Sequence, residues 1–153
     1  MKGLEKSSIS KRGVVMAVEK TLVILKPDAV KRKLVGEIIS AIENKDLSIT
    51  YMEIKSLSDQ DLKYHYHEHT EKPYFPSLME YMQSGPVVIL VVEGENAIKL
   101  TRKLSGSTDP LDAESGSIRG KYAVSKTKNI IHASDSKKSA FREASFFVEG
   151  KKE

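Results

Sequence analysis

No cysteine occurs among the 153 residues, which excludes disulfides and thiolate metal sites and leaves the redox compartment open. No apolar run approaches the ~20 residues of a membrane span. The opening stretch MKGLEKSSISKRGVVMA has basic residues but lacks the apolar centre of a secretory signal. No internal repeat is found. Neither sign of charge dominates: 25 Lys and Arg against 21 Asp and Glu give a net +4. That excess suits an anionic ligand and is too small to demand nucleic acid. With 39% hydrophobic and 30% charged residues, the composition is that of one soluble globular domain. Residues 1–16 read as a polar, disordered extension that folding does not need, and 17–153 as the domain.

TLVILK (21–26) and VVILVVEG (87–94) are short continuous apolar runs, as expected of strands buried on both faces. SITYMEIKSL (48–57) is β-branched and aromatic, and NIIHA (129–133) is a fourth strand. Val35, Ile38, Ile39 and Ile42 recur at helical spacing, as do Phe75, Leu78, Met79 and Met82. Ala97, Leu100, Thr101 and Leu104 form a third such stripe. Ser58-Asp59 starts a polar helix through DLKYHYHEH, and a last helix runs from about Ser136 to Val148. Between them SGSTDPLDAESGSIRG (105–120) is a loop long enough to suggest a functional role. The order is β-α-β-α-α-β-α-loop-β-α. Setting aside the two helices between the second and third strands and the last helix leaves βαββαβ, an α/β (α+β) ferredoxin-like sandwich with a four-stranded antiparallel sheet covered by helices.

Fold alone does not give function. His132 stands at the end of the fourth strand, just before Ser134, Asp135 and Ser136, all good N-cap residues. The free N–H groups of a helix N-terminus favour an anion there. Glu143 falls beside an apolar face made of Ala140, Phe141, Ala144 and Phe147, where a carboxylate needs a partner, and His132 is the candidate. Arg102, Thr108 and Arg119 bracket the long loop, and two guanidinium groups with a hydroxyl suit phosphate oxygens. Each of these residues alone reads more simply as a surface or satisfied core group. Together they fit phosphoryl transfer, in which a neutral imidazole attacks phosphorus and cations spread the developing charge.

The stretches KPDAV (26–30), GEIISAIE (36–43), HY (65–66), KPYF (72–75), MQSGPV (82–87), GSTDP (106–110), GSIRG (116–120) and NIIHASDS (129–136) carry a resemblance. From about Glu19 to Val148 the chain resembles the nucleoside diphosphate kinases. The resemblance implies a ping-pong transfer of the terminal phosphate of ATP or another nucleoside triphosphate to a nucleoside diphosphate, with broad base and sugar specificity. It implies that His132 is phosphorylated on Nδ1, with Glu143 and Ser134 orienting the ring. Lys26 and Asn129 would hold the ribose hydroxyls. Arg102, Thr108 and Arg119 would meet the phosphates, with Tyr66 close by, and Tyr74 and Leu78 would sandwich the base. Mg2+ would arrive on the nucleotide phosphates and not in a protein cage. A cytoplasmic homo-oligomer is implied, a hexamer more than a tetramer, with no membrane partner and no specific nucleic acid.

Four positions depart from the family's usual pattern. Tyr74 stands where phenylalanine is typical, Lys121 where aspartate is common, Asp109 where asparagine is common, and Ser105 in place of an apolar residue. Three further readings compete. His65 and His69 sit at i,i+4 spacing that zinc can use on a helix. RGKYAV (119–124) faintly echoes the RNP1 pattern of an RNA-binding module. A purely structural protein would leave His132, Glu143, Asn129 and the arginines unexplained together.

Overall fold

Val87 to Val92 are buried without interruption, because this strand lies inside the sheet with helices on both its faces. The computed structural model describes residues 7–9 and 15–150. Its strands are β1 (Ser7–Ile9), β2 (Val15–Leu25), β3 (Ser48–Lys55), β4 (Val87–Glu95) and β5 (Ile131–Ala133). Its helices are α1 (Pro27–Lys31), α2 (Val35–Glu43), α3 (Asp59–His65), α4 (Phe75–Met82), α5 (Ala97–Ser105), α6 (Ile118–Tyr122) and α7 (Lys137–Phe147). The main sheet runs β5-β2-β4-β3 with every pair antiparallel, which is the ferredoxin-like order.

Alternation along β2 divides the interior. Val23 and Leu25 point into a core with Ile38, Ile42, Leu90 and Ile131, covered by α2 and α5. Leu22 and Ile24 point into a second core with Leu62, Met82, Ile89, Phe146 and Phe147, covered by α3, α4 and α7. His132 pairs directly with Ile24, so its side chain emerges on the second face, under α3 and α7. A shift of one residue would turn it into the first core.

Several elements differ from the sequence reading. β2 is longer than 21–26, and Ser7–Ile9 pair antiparallel with Val15–Ala17. The rest of the expected extension, 1–6 and 10–14, lies outside the described residues. α3 stops at His65, and the chain turns through 66–70. His65 and His69 therefore share no helix face, and the zinc pairing read from their spacing fails. RGKYAV falls largely in α6 and not on a strand, and both sheet faces are covered, so no open platform for stacking bases exists there. Phe141 is 77% exposed, and Phe146 takes the place given to it in the buried face of α7.

The long loop is held by close packing. Gly106 has φ +87, and a Cβ there would lie 2.3 Å from Ser117 Oγ. At Gly120 a Cβ would lie 1.9 Å from the Glu114 carbonyl oxygen. Gly120→Ala is expected to cost about 2 kcal/mol and to loosen the loop, since backbone must move. Thermal unfolding beside Gly116→Ala, where a Cβ meets nothing within 4 Å, checks this.

Candidate active site

β5 and α7 bring the nucleophile candidate and its carboxylate together. On α7, Ala140, Glu143 and Phe147 recur at i, i+3, i+7 and form a buried stripe. Glu143 therefore faces the sheet, and its Oε1 lies 2.8 Å from His132 Nε2. The same oxygen accepts from the Ser134 hydroxyl at 2.6 Å. Ser134 Oγ also lies 3.3 Å from the Leu22 carbonyl, but that carbonyl already accepts the Ser134 N–H, and one hydroxyl proton serves the carboxylate. With Nε2–H donating to Glu143, the lone pair sits on Nδ1.

The strand leading to His132 is strained on purpose-built supports. Ile130 has φ +76, an outlier for a β-branched residue. Its N–H donates to Asp28 Oδ2 at 3.1 Å, and its carbonyl accepts the Lys26 N–H at 2.8 Å. Tyr81 Oη donates to the other Asp28 oxygen. Asp28 and Tyr81 were not among the sequence candidates. The KPDAV run contained the signal, an acid in the first turn of a helix, but nothing marked its partner 102 residues away.

Lys26 Nζ donates to Asn129 Oδ1 at 2.7 Å, and Asn129 Nδ2 donates to the Lys126 carbonyl. Burial, then the Arg119 charge, pushes the Lys26 ammonium down to about 8, with Asp28 opposing. Arg119 is 5% exposed and knits the site's backbone. Its Nη1 donates to the Gly106 carbonyl and its Nη2 to Ile131, both at 2.6 Å, and its Nε to Asn129 at 3.3 Å. Burial and the Arg102 charge lower it to about 10. Arg102 Nη1 donates to the Ala133 carbonyl at 3.2 Å. Thr108 stands exposed on the loop two residues beyond Gly106.

Ring contacts run outward from His132. His65 meets it edge to face at 4.5 Å, Tyr66 meets His65, His69 meets Tyr66, and Tyr74 meets His69. Burial, then the Glu143 charge, raises the Tyr66 phenol. Tyr74 is half exposed and shares a hydrogen bond with His69 Nδ1, and Leu78 packs partly buried against the second core. The departures are accommodated. Ser105 is buried but donates to the Thr101 carbonyl at 2.7 Å. Asp109 accepts the Leu111 N–H and lies 3.6 Å from Lys126 Nζ, and Lys121 is exposed.

Donor chemistry also bears on metals. Lys26, Asn129, Arg102 and Arg119 are themselves cationic or neutral, and the nearby Asp28 carboxylate is taken up by the Ile130 N–H and the Tyr81 hydroxyl. These four side chains suit phosphate oxygens, and a hard cation would need those oxygens as ligands.

Residues 19–152 match the profile of the family described as nucleoside diphosphate kinase. The chain is 54% identical over 134 residues to a nucleoside diphosphate kinase of Streptomyces avermitilis, covering 87% of this chain and 98% of that one. It is 50% identical over 130 residues to one of Thermobifida fusca, covering 85% and 96%. The solved structure of the Aquifex aeolicus nucleoside diphosphate kinase superimposes with a TM-score of 0.82 at 39% identity, covering 88% of this chain and 97% of that one. With a histidine and carboxylate set on the second sheet face near Lys26, Arg102 and Arg119, and with this match along nearly its whole length, the chain belongs to the nucleoside diphosphate kinase family of phosphotransferases.

Proposed function

We propose that the chain moves the γ-phosphate of ATP, or another nucleoside triphosphate, to a nucleoside diphosphate in two half-reactions through phosphorylated His132. The observation that carries this is the Nε2 contact to Glu143, which leaves Nδ1 as the free nucleophile. Nδ1 attacks the γ-phosphorus, an N–P bond forms, and the bond to the β–γ bridging oxygen breaks with its electron pair going to the departing diphosphate. The positive charge the ring acquires is offset by Glu143, itself steadied by Ser134. The second diphosphate reverses the step. Arg102, Arg119 and Thr108 would meet the phosphates, Lys26 and Asn129 the ribose hydroxyls, and Tyr66 would stand beside them.

Tyr74 and Leu78 would sandwich the base. Stacking asks for a π-face and not for a base edge, which supports broad specificity. Tyr74→Phe is expected to leave the nucleotide KM within about two-fold, because stacking survives, whereas Tyr74→Ala raises it about ten-fold. Steady-state kinetics with purine and pyrimidine diphosphates measure both.

Mg2+ carried on the nucleotide fits this set of cationic side chains, where it would neutralise phosphate charge. A cytoplasmic location accords with the absence, among the described residues, of any helix able to cross a membrane. Self-association as a hexamer accords with Leu111 exposed on the loop and with Met52 and Ile54 exposed on the edge strand β3. Light scattering reads the mass, and a tetramer or monomer would refute the hexamer.

Lys26 gives a pH signature. Its folded value near 8 lies below the unfolded 10.5. Between these the unfolded chain binds more protons, so stability rises with pH while the site loses a cation. The expected result is a kcat/KM that falls above about pH 8 as thermal stability rises, with the kinetic fall moved upward in Lys26→Arg.

The deciding experiment mixes the protein with Mg2+ and ATP without acceptor and takes the intact mass. One acid-labile phosphate, removed by GDP, is the expected outcome. No adduct, or one that survives acid, would refute the reading.

A further inference from the structure

His65 is left without a task by the transfer just described. It closes α3 with 7% of its surface exposed, and its Nδ1 is buried with no hydrogen-bond partner. A phenylalanine would fill the space between Tyr66, His132 and Phe147 without stranding a polar atom. The His65 ring lies edge to face against that of His132, with centroids 4.5 Å apart. His65, His132 and Glu143 each offer one ligand atom, and these lie within 4.8 Å of one another. Two imidazoles and a carboxylate are the donor set of open zinc sites. Tetrahedral zinc with bonds of about 2.0–2.1 Å spaces its ligands about 3.3 Å apart. His132 Nε2 and Glu143 Oε1, at 2.8 Å, need open only slightly, and the His65 ring needs to close by a side-chain adjustment.

We propose that His65, His132 and Glu143 form a Zn2+ site whose occupation switches off phosphorylation of His132. The consequence for activity rests on the phosphohistidine reading. Zinc on Nε2 takes the lone pair there, so the single proton of the neutral ring moves to Nδ1. The ring then presents N–H, not a lone pair, toward the cleft. The nucleophile is lost by a change of tautomer, with no bond broken elsewhere. Mg2+ does not compete, because it takes oxygen ligands in octahedral geometry. The nearby charges of Lys26 and Arg142 oppose a cation, although Arg142 is engaged by the Tyr64 ring and carbonyl. Binding in the micromolar range is therefore expected.

The test uses the full chain freed of metal, with Zn2+ alone and no nucleotide. Equilibrium dialysis should find one zinc per chain, and His65→Phe should weaken it about 100-fold. Zinc-loaded protein, given Mg2+ and ATP, should gain no phosphate until a chelator is added. His65→Phe should gain it with or without zinc. Equal uptake by both proteins would place zinc on other groups such as His67 and His69, and would overturn the proposal, as would no uptake. If the variant does not fold, Co2+ added to the unaltered chain decides: strong tetrahedral bands support the site, and a weak octahedral spectrum overturns it. Absence of phosphate on the metal-free chain refutes the kinase reading instead, and leaves the zinc measurement standing.

Discussion

His132→Ala is expected to carry no phosphate after incubation with Mg2+ and ATP, and to lose at least ~10⁴-fold in transfer rate. The argument rests on what no neighbour can replace. Glu143 is held by Ser134 and stays in place when the ring is removed. Its oxygens face the interior and offer no nitrogen nucleophile. His65, the other imidazole within reach, is buried and held well below the ordinary histidine range by burial and then by His132, so its ring stays neutral. Its Nδ1 is enclosed, however, and cannot meet a nucleotide phosphate. Glu143→Gln separates two roles of the carboxylate. The amide oxygen can still accept from Nε2–H, but the charge that balances the phosphorylated ring is gone. Its loss should fall between the native enzyme and His132→Ala, and appear in the single-turnover phosphorylation rate more than in KM. Circular dichroism should be unchanged for both variants. An acid-labile phosphate persisting on His132→Ala would move the nucleophile elsewhere and overturn the assignment.

Much of this candidate site is legible in the sequence, for a physical reason. Strand and helix periods write burial directly into the order of residues, so β4, α4, α5 and the pairing of a strand with α7 could be read from patterns. His132, Ser134 and Glu143 lie within one strand-to-helix unit, and local spacing suffices to bring them together. What could not be read depends on contacts distant along the chain. Asp28 holding Ile130 is one case, and the edge-to-face contact of His65 with His132 is another. The end of α3 at His65 was missed because no glycine or proline interrupts the sequence until Pro73, so nothing local marks the stop. Burial of that histidine against β5 is a tertiary demand with no local mark. Phe141 shows the converse, since an aromatic beside an apolar stripe is counted inward although its angle on the helix turns it out.

Arg119, read from the sequence as a phosphate contact, also clamps backbone in the structure. Two arginines by a loop suggested phosphate contacts, yet three of Arg119's N–H groups are spent on the carbonyls of Gly106, Asn129 and Ile131. Of the five donors of a guanidinium, the remaining two are left for a ligand. The side chain thus ties the start of the long loop to both sides of the strained Ile130. Arg119→Ala is expected to destabilise the fold by about 3 kcal/mol, since three carbonyls lose a charged donor in a largely dry setting. It should also abolish nearly all transfer, by ~10³-fold, because the loop bearing Thr108 and the turn bearing Asn129 lose their common anchor. Arg119→Lys should rescue neither property. An ammonium on a flexible stem cannot present three donors along the directions of a planar fork. If Arg119 only met phosphate, lysine would restore much of the activity, and the melting temperature of both variants would match that of the native protein. Thermal unfolding with and without a nucleotide, together with the kcat and KM of each variant, distinguishes the two. A native melting temperature in Arg119→Ala would rule out the clamp and return this arginine to the phosphate-binding role that its position in the loop first suggested.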